Sequence, residues 1–202
     1  MLLMLALALT ACGGDTDVPP IRVQGQPSVW NGSLVGPGYP LPVQTYRTTS
    51  GEEYLPATDA TKPVTLVYMG YTSCPDVCSV VLANLAAALR GAPDDVRDAV
   101  DVLFISVDPA RDTAPVLEEY VARFDPDFVG LRAPTDTVAA TAKDLNLSYV
   151  PPGKDAAGAY EVQHAPYTTA FADGEAVLVW RPEAAVRDIR SDLVRLVERA
   201  VA

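Results

Sequence analysis

An α/β fold, with one central mixed sheet flanked by helices, is what this sequence predicts, and three observations carry the prediction. Two β-branched, apolar runs, residues 65–69 and 102–107, are each followed by a stretch with apolar residues at helical spacing. Thr168–Ala172 and residues 176–180 flank Asp173-Gly174, a dipeptide that strongly signals a two-residue β-hairpin. The chain has 202 residues, 49% apolar and 20% charged, which is the composition of an ordinary globular protein. That length suits one domain, with about 150 residues able to bury a sizeable core.

The elements follow in order. Residues 1–11 form an apolar run ending Leu9-Thr10-Ala11-Cys12, followed by Gly13-Gly14-Asp15. Small residues before a cysteine, after an apolar stretch, resemble a bacterial lipoprotein signal, in which the cysteine is lipidated and the leader removed. The run is too short to span a bilayer, which fits a signal. No Lys or Arg precedes it, so the natural start is expected further upstream. The expected organisation is a signal peptide over 1–11, a tether over 12–27 with lipidated Cys12, and a domain over 28–202. Gly, Pro, Asp and Gln without periodicity make the tether flexible.

Within the domain, residues 44–48 and 52–55 flank Ser50-Gly51 as a hairpin. Residues 65–69 are a buried strand, and a helix over 79–90 carries Val80, Val81, Leu82, Leu85 and Leu89 before Gly91 closes it. The pattern then repeats. Residues 102–107 are a strand ended by Asp108-Pro109, and Asp112-Thr113 with Pro115 opens a helix bearing Leu117, Tyr120, Val121 and Phe124. Residues 128–131 form a short strand and 135–146 a further helix. After the Asp173-Gly174 hairpin, a helix over 183–201 places Val186, Ile189, Leu193, Leu196 and Val197 on one face. A βαβα run, an extra β-hairpin and a closing helix is the order of a single thioredoxin-like domain.

Fifteen Lys and Arg against 26 Asp and Glu give a net charge of −11, with no basic cluster. That argues against nucleic acid as a partner and against attraction to anionic lipid. Membrane attachment is therefore expected through the lipid on Cys12, strong enough when several acyl chains are buried. The domain would then lie on the extracytoplasmic face, where paired cysteines can be oxidised.

Chemistry concentrates in three side chains. Apart from Cys12, Cys74 and Cys78 are the only cysteines, and His164 is the only histidine. Pro75 disfavours a helical Cys74 and suits the first helical turn, placing Cys74 at the mouth of the helix and Cys78 about 6 Å further along it. That spacing allows a disulfide, Cys74–Cys78, or two sulfurs gripping one metal ion. Unpaired N–H groups at the helix start should favour the Cys74 thiolate. Two thiolates and an imidazole suit copper(I). Structural zinc normally takes four ligands, and a carboxylate such as Asp76 or Asp108 would have to supply the fourth. The bland readings are a structural disulfide and a solvated loop histidine. A five-residue loop constrains the unfolded chain little, so a purely stabilising bridge is weakly motivated.

Residues 70–78, Gly-Tyr-Thr-Ser-Cys-Pro-Asp-Val-Cys, resemble the signature loop of the Sco (SenC) family of copper proteins for cytochrome c oxidase assembly. Residues 106–113, Ser-Val-Asp-Pro-Ala-Arg-Asp-Thr, resemble that family's second segment, and Gln163-His164-Ala165 stands where the family keeps its histidine. The resemblance covers residues 28–200. It implies a thioredoxin-like fold holding one copper ion through Cys74, Cys78 and His164. It also implies, as the job, delivery of copper to the dinuclear centre of oxidase subunit II or reduction of that subunit's cysteines. Implied partners are subunit II and a copper donor or thiol reductant outside the cytoplasm, and the protein is expected to be a monomer. The chain departs from the family pattern at Ser73, Ser79 and Gln163, where His, Pro and an acidic residue are common. Reductase chemistry, with Cys74 attacking and Cys78 resolving, needs only the thiols; copper capture needs the imidazole as well. Peroxidase chemistry at the same thiolate is a third reading.

Overall fold

A computed structural model describes residues 29–75, 77–152 and 160–201. The leader, Cys12, the tether and Asp76 lie outside the described residues. In chain order the elements are β1 (Ser33–Leu34), β2 (Tyr46–Thr48), β3 (Glu53–Tyr54), α1 (Pro56–Asp59), β4 (Val64–Gly70), α2 (Val77–Arg90), α3 (Asp94–Asp98) and β5 (Val100–Ser106). They continue as α4 (Ala114–Ala122), β6 (Val129–Arg132), α5 (Thr135–Asp144), β7 (Tyr149–Val150), β8 (Gln163–His164), β9 (Thr168–Ala172), β10 (Glu175–Trp180) and α6 (Val186–Ala200).

Eight strands make one mixed sheet in the order β1-β10-β9-β4-β5-β6-β2-β3. β4, β5 and β6 run parallel, and β9 pairs antiparallel with β4. Every residue of β4 is buried, as is all of β5 except Asp101. A strand covered on both faces reads as a continuous apolar run, which is how residues 64–70 and 100–106 read. α2 packs against α6, α6 against β4 and β9, and α4 against β6. This is the expected single α/β domain with its extra hairpin. Asp173 and Gly174 both take positive φ, 53° and 78°, as the tight hairpin turn requires.

The boundaries differ locally. α2 starts at Val77, ahead of the expected residue 79, so Pro75 precedes the helix instead of opening it. α6 starts at Val186, and α5 ends at Asp144. α1, α3 and the separate β7–β8 pair were not anticipated, because pieces of two to five residues show no period.

The topology fixes where the site must be. Gly70 and Ser106 are aligned at the ends of the parallel pair β4–β5, and the Val107 N–H donates to the Gly70 carbonyl at 2.8 Å. Thr168, which starts antiparallel β9, pairs with Tyr68 near the end of β4. The cysteine loop, residues 107–113 and the His164 strand therefore meet at one end of the sheet, the usual place for ligands in open α/β sheets.

Candidate metal centre

Cys74 sits in the turn after β4, its N–H donating to the Tyr71 carbonyl at 3.2 Å. Cys78 lies in the first turn of α2 and is fully buried. His164 closes β8, where it stands opposite Tyr149 of β7, and the Ala165 N–H donates to the Ser148 carbonyl at 2.8 Å. One ligand atom from each of Cys74, Cys78 and His164 lies within 4.8 Å of the other two. His164 Nε2 is 3.8 Å from Cys78 Sγ. Both cysteines are free thiols. A cleft of about 460 Å³, lined by Tyr71, Cys74, Val77, Tyr149, Val162 and His164 among others, gives access from the half-buried Cys74 and His164 side.

The electrostatics suit a soft cation. Burial pushes the Cys78 thiol up to about 12, with the neighbouring Cys74 thiol acting in the same direction. The thiol in the first helical turn is thus Cys78, and its pKa rises because desolvation outweighs its hydrogen bonds to Tyr68 and the Tyr71 backbone. Burial holds His164 below its ordinary range, so the imidazole is neutral at pH 7. His164 Nδ1 is 3.4 Å from the Ala165 carbonyl oxygen. A carbonyl only accepts, so this contact places the proton on Nδ1 and leaves the Nε2 lone pair toward the sulfurs. The rings of Tyr71 and Tyr68 stand edge-on to the imidazole at centroid distances of 5.8 and 6.5 Å.

Residues 106–113 hold this arrangement in place. The fully buried Asp112 carboxylate accepts from the Thr72 N–H at 3.2 Å, the Thr72 hydroxyl at 2.7 Å and the Ser106 hydroxyl at 2.6 Å. It thereby pins the loop two residues ahead of Cys74. Asp108 faces the histidine side: it accepts from the Tyr160 hydroxyl at 2.8 Å and pairs with Arg111. The Arg111 guanidinium lies 3.7 Å from the centre of the Tyr160 ring and 5.6 Å from that of Tyr71. The Tyr149 hydroxyl donates to the Val107 carbonyl at 3.1 Å, and the Val162 N–H reaches the Tyr71 hydroxyl at 3.5 Å.

The three sequence-predicted ligands therefore converge. Asp108 does not join them: both its oxygens are engaged, by Tyr160 and Arg111, and it lies outside the ligand cluster. That removes it as a fourth ligand for zinc. The sequence reading missed the supporting roles of Asp112, Thr72, Arg111 and Tyr160. The 106–113 motif marked the right segment, but its task depends on the parallel β4–β5 pairing.

The SCO1/SenC family model matches residues 45–198. Protein SenC of Rhodobacter capsulatus is 41% identical over 90 residues, 45% of this chain and 40% of that protein. Protein SCO1 homolog 1, mitochondrial, of Arabidopsis thaliana is 37% identical over 86 residues, 43% of this chain and 26% of that protein. The chain spans less than half the length of these curated relatives. Among solved structures, apo Sco1 from Thermus thermophilus matches with a TM-score of 0.74 and 28% identity, covering 83% of this chain and 96% of that one. Bradyrhizobium japonicum ScoI with copper bound matches with a TM-score of 0.64 and 28% identity, covering 80% and 99%. A thioredoxin-like sheet, a Cys-Cys-His cluster at its end and a family match across most of the domain lead to one conclusion: the chain belongs to the SCO1/SenC family.

Proposed function

We propose that this chain is a copper-binding protein of cytochrome c oxidase assembly, which carries one copper ion between Cys74, Cys78 and His164 and passes it to the dinuclear centre of subunit II. The observation that carries the reading is the convergence of two thiols and one neutral imidazole within 4.8 Å. Soft sulfur ligands with one imidazole, and no carboxylate in the cluster among the described residues, favour copper over zinc, calcium or magnesium. The copper bound in the Bradyrhizobium japonicum relative supports the same choice. A partly exposed Cys74 and a cleft beside it would allow a protein thiol to approach and take the ion by ligand exchange. No helix among the described residues is long and apolar enough to cross a membrane. We place the anchor on lipidated Cys12, after a signal over 1–11 and before a tether to residue 27, with the domain on the extracytoplasmic face.

Copper titration of the reduced full chain tests the reading. One ion per chain is expected, with Cys74→Ser and Cys78→Ser losing most of it. His164→Ala should weaken binding at least about tenfold, since loss of even an outer partner of a ligand typically costs roughly 10–100-fold. Copper content unchanged in all three variants would overturn the assignment. A second reading, thiol–disulfide reductase toward the subunit II cysteines, is favoured by the free thiols with Cys74 half-buried and Cys78 fully buried, an attacking and a resolving sulfur. Full oxidase assembly by His164→Ala in cells would select it.

A further inference from the structure

A second cavity, of about 520 Å³, lies beside β2 and β6 and shares no lining residue with the metal cleft. Arg47 and Arg132 both line it, and they are direct partners in the antiparallel β2–β6 pair. Like charges placed directly opposite each other on paired strands repel. One carboxylate, Glu53, lines the cavity and meets Arg47 at 3.4 Å, where both side chains are largely exposed. Arg132 has no such partner among the described residues. It is half-buried, its Nη2 donates to the Pro109 carbonyl at 3.1 Å, and its buried Nε has no hydrogen-bond partner. Two guanidiniums against one carboxylate leave this cavity net positive in a chain of net charge −11. The remaining walls include Tyr46, Pro109, Ala133 and Pro134, which are mostly apolar.

We infer that this cavity binds a small organic anion, its carboxylate or phosphate group held between Arg47 and Arg132 and its apolar body against Pro109, Ala133 and Pro134. A partly desolvated guanidinium without a counterion is costly, and an oxyanion supplies both the opposite charge and the missing acceptors. The planar donor fork of arginine matches carboxylate and phosphate oxygens. The volume falls in the range of small-molecule sites and accommodates a ligand of one aromatic ring with one charged group.

Titration of the reduced, metal-free full chain by calorimetry, with benzoate, phenyl phosphate, inorganic phosphate and benzyl alcohol as probes, tests the site. At least one of the two aryl anions should bind saturably, more tightly than inorganic phosphate, while benzyl alcohol should not bind. Which of benzoate and phenyl phosphate binds more tightly identifies the anionic group. Arg132→Gln and Arg47→Gln should each weaken binding about tenfold or more, as loss of a charge-assisted pair does. Arg132→Lys should recover part of the loss, and copper stoichiometry should be unchanged throughout. Arg47 is largely exposed, so its variant carries the test if Arg132→Gln fails to fold. Absence of saturable binding by both aryl anions would overturn the inference. So would undiminished binding in folded Arg47→Gln, or benzyl alcohol binding as well as the anions.

Discussion

A Cβ added to Gly70 would stand 2.8 Å from Tyr68 Cε1, 3.0 Å from Phe104 Cε2 and 3.1 Å from Cys78 Sγ. The last residue of β4 is thus small because two buried rings and the Cys78 sulfur fill the space where a side chain would go. Gly70→Ala should destabilise the fold by about 1–3 kcal/mol, the usual cost of overpacking a core. It should also weaken copper binding, because the sulfur is one of the groups that must move. Denaturant melts and copper titration of this variant check both, and wild-type affinity would show that the sulfur has room to adjust. At this scale the members of the cluster were legible, because Cys74, Cys78 and His164 are the only thiols and imidazole after Cys12. The protonation states were not. The upward shift of Cys78 comes from burial; its spacing to Val81, Leu82 and Leu85 marks the buried face of α2, but not how completely the sulfur is desolvated.

Elements hold the ligands through two carboxylates that follow β5. Asp112 fastens the cysteine loop, and Asp108, through Tyr160 and Arg111, fastens the chain leading to β8. Removing the Tyr160 hydroxyl leaves Asp108 one donor short without touching a ligand. Tyr160→Phe should lower copper affinity several-fold through a looser His164 while leaving thiol reactivity near wild type. Copper competition beside alkylation rates measures that split, and equal loss in both would point to general loosening of the domain. A third carboxylate, Asp192 of α6, is fully buried and accepts from the Trp180 indole at 2.9 Å and from the N–H groups of Asn31 and Gly32 at 3.0 and 2.8 Å. It ties the first described residues to the last helix across the hairpin. Asp192→Ala takes the acceptor from these three donors and from the Asn31 side-chain amide, so a loss of roughly 3 kcal/mol or more is expected. Chemical denaturation checks it, and a loss under about 1 kcal/mol would mean that water replaces the carboxylate. The long strands were legible as unbroken apolar runs and α2, α4, α5 and α6 by the helical period that burial of one face leaves in the sequence. β7 and β8 were not, since a two-residue strand has none, and they owe their pairing to the cysteine loop and residues 107–112 against which they lie.

Across the whole molecule, cluster members 86 residues apart in sequence, Cys78 and His164, meet because β4 and β5 run parallel while β9 returns antiparallel beside β4. The element order in the sequence already implied that topology, so the end of the sheet carrying the chemistry could be anticipated, though the cavity beside Arg47 and Arg132 could not. A metal held by residues from the β4–α2 turn, α2 and β8 should bind the folded chain more tightly than the unfolded one, where only the two nearby thiols stay together, and so should stabilise the fold. Free copper at about 100 times its dissociation constant should add up to about 2.7 kcal/mol, less whatever the unfolded thiols bind. For a chain of this size that is roughly 5–10 °C in Tm. The gain should grow with pH. Cys78 titrates ordinarily at 9.0 and in the fold at about 12, so between pH 6 and 8 the thiol is protonated in both states and alters the stability of the apo chain little. Copper must displace that proton, so its affinity should rise by up to about tenfold per pH unit for each proton released. Melting curves of reduced protein with buffered copper at pH 6, 7 and 8 should therefore show an increasing shift, absent in Cys78→Ser and in protein oxidised to the Cys74–Cys78 disulfide, which uses the same sulfurs. A shift that is independent of pH, or that survives oxidation, would place the copper away from these thiols.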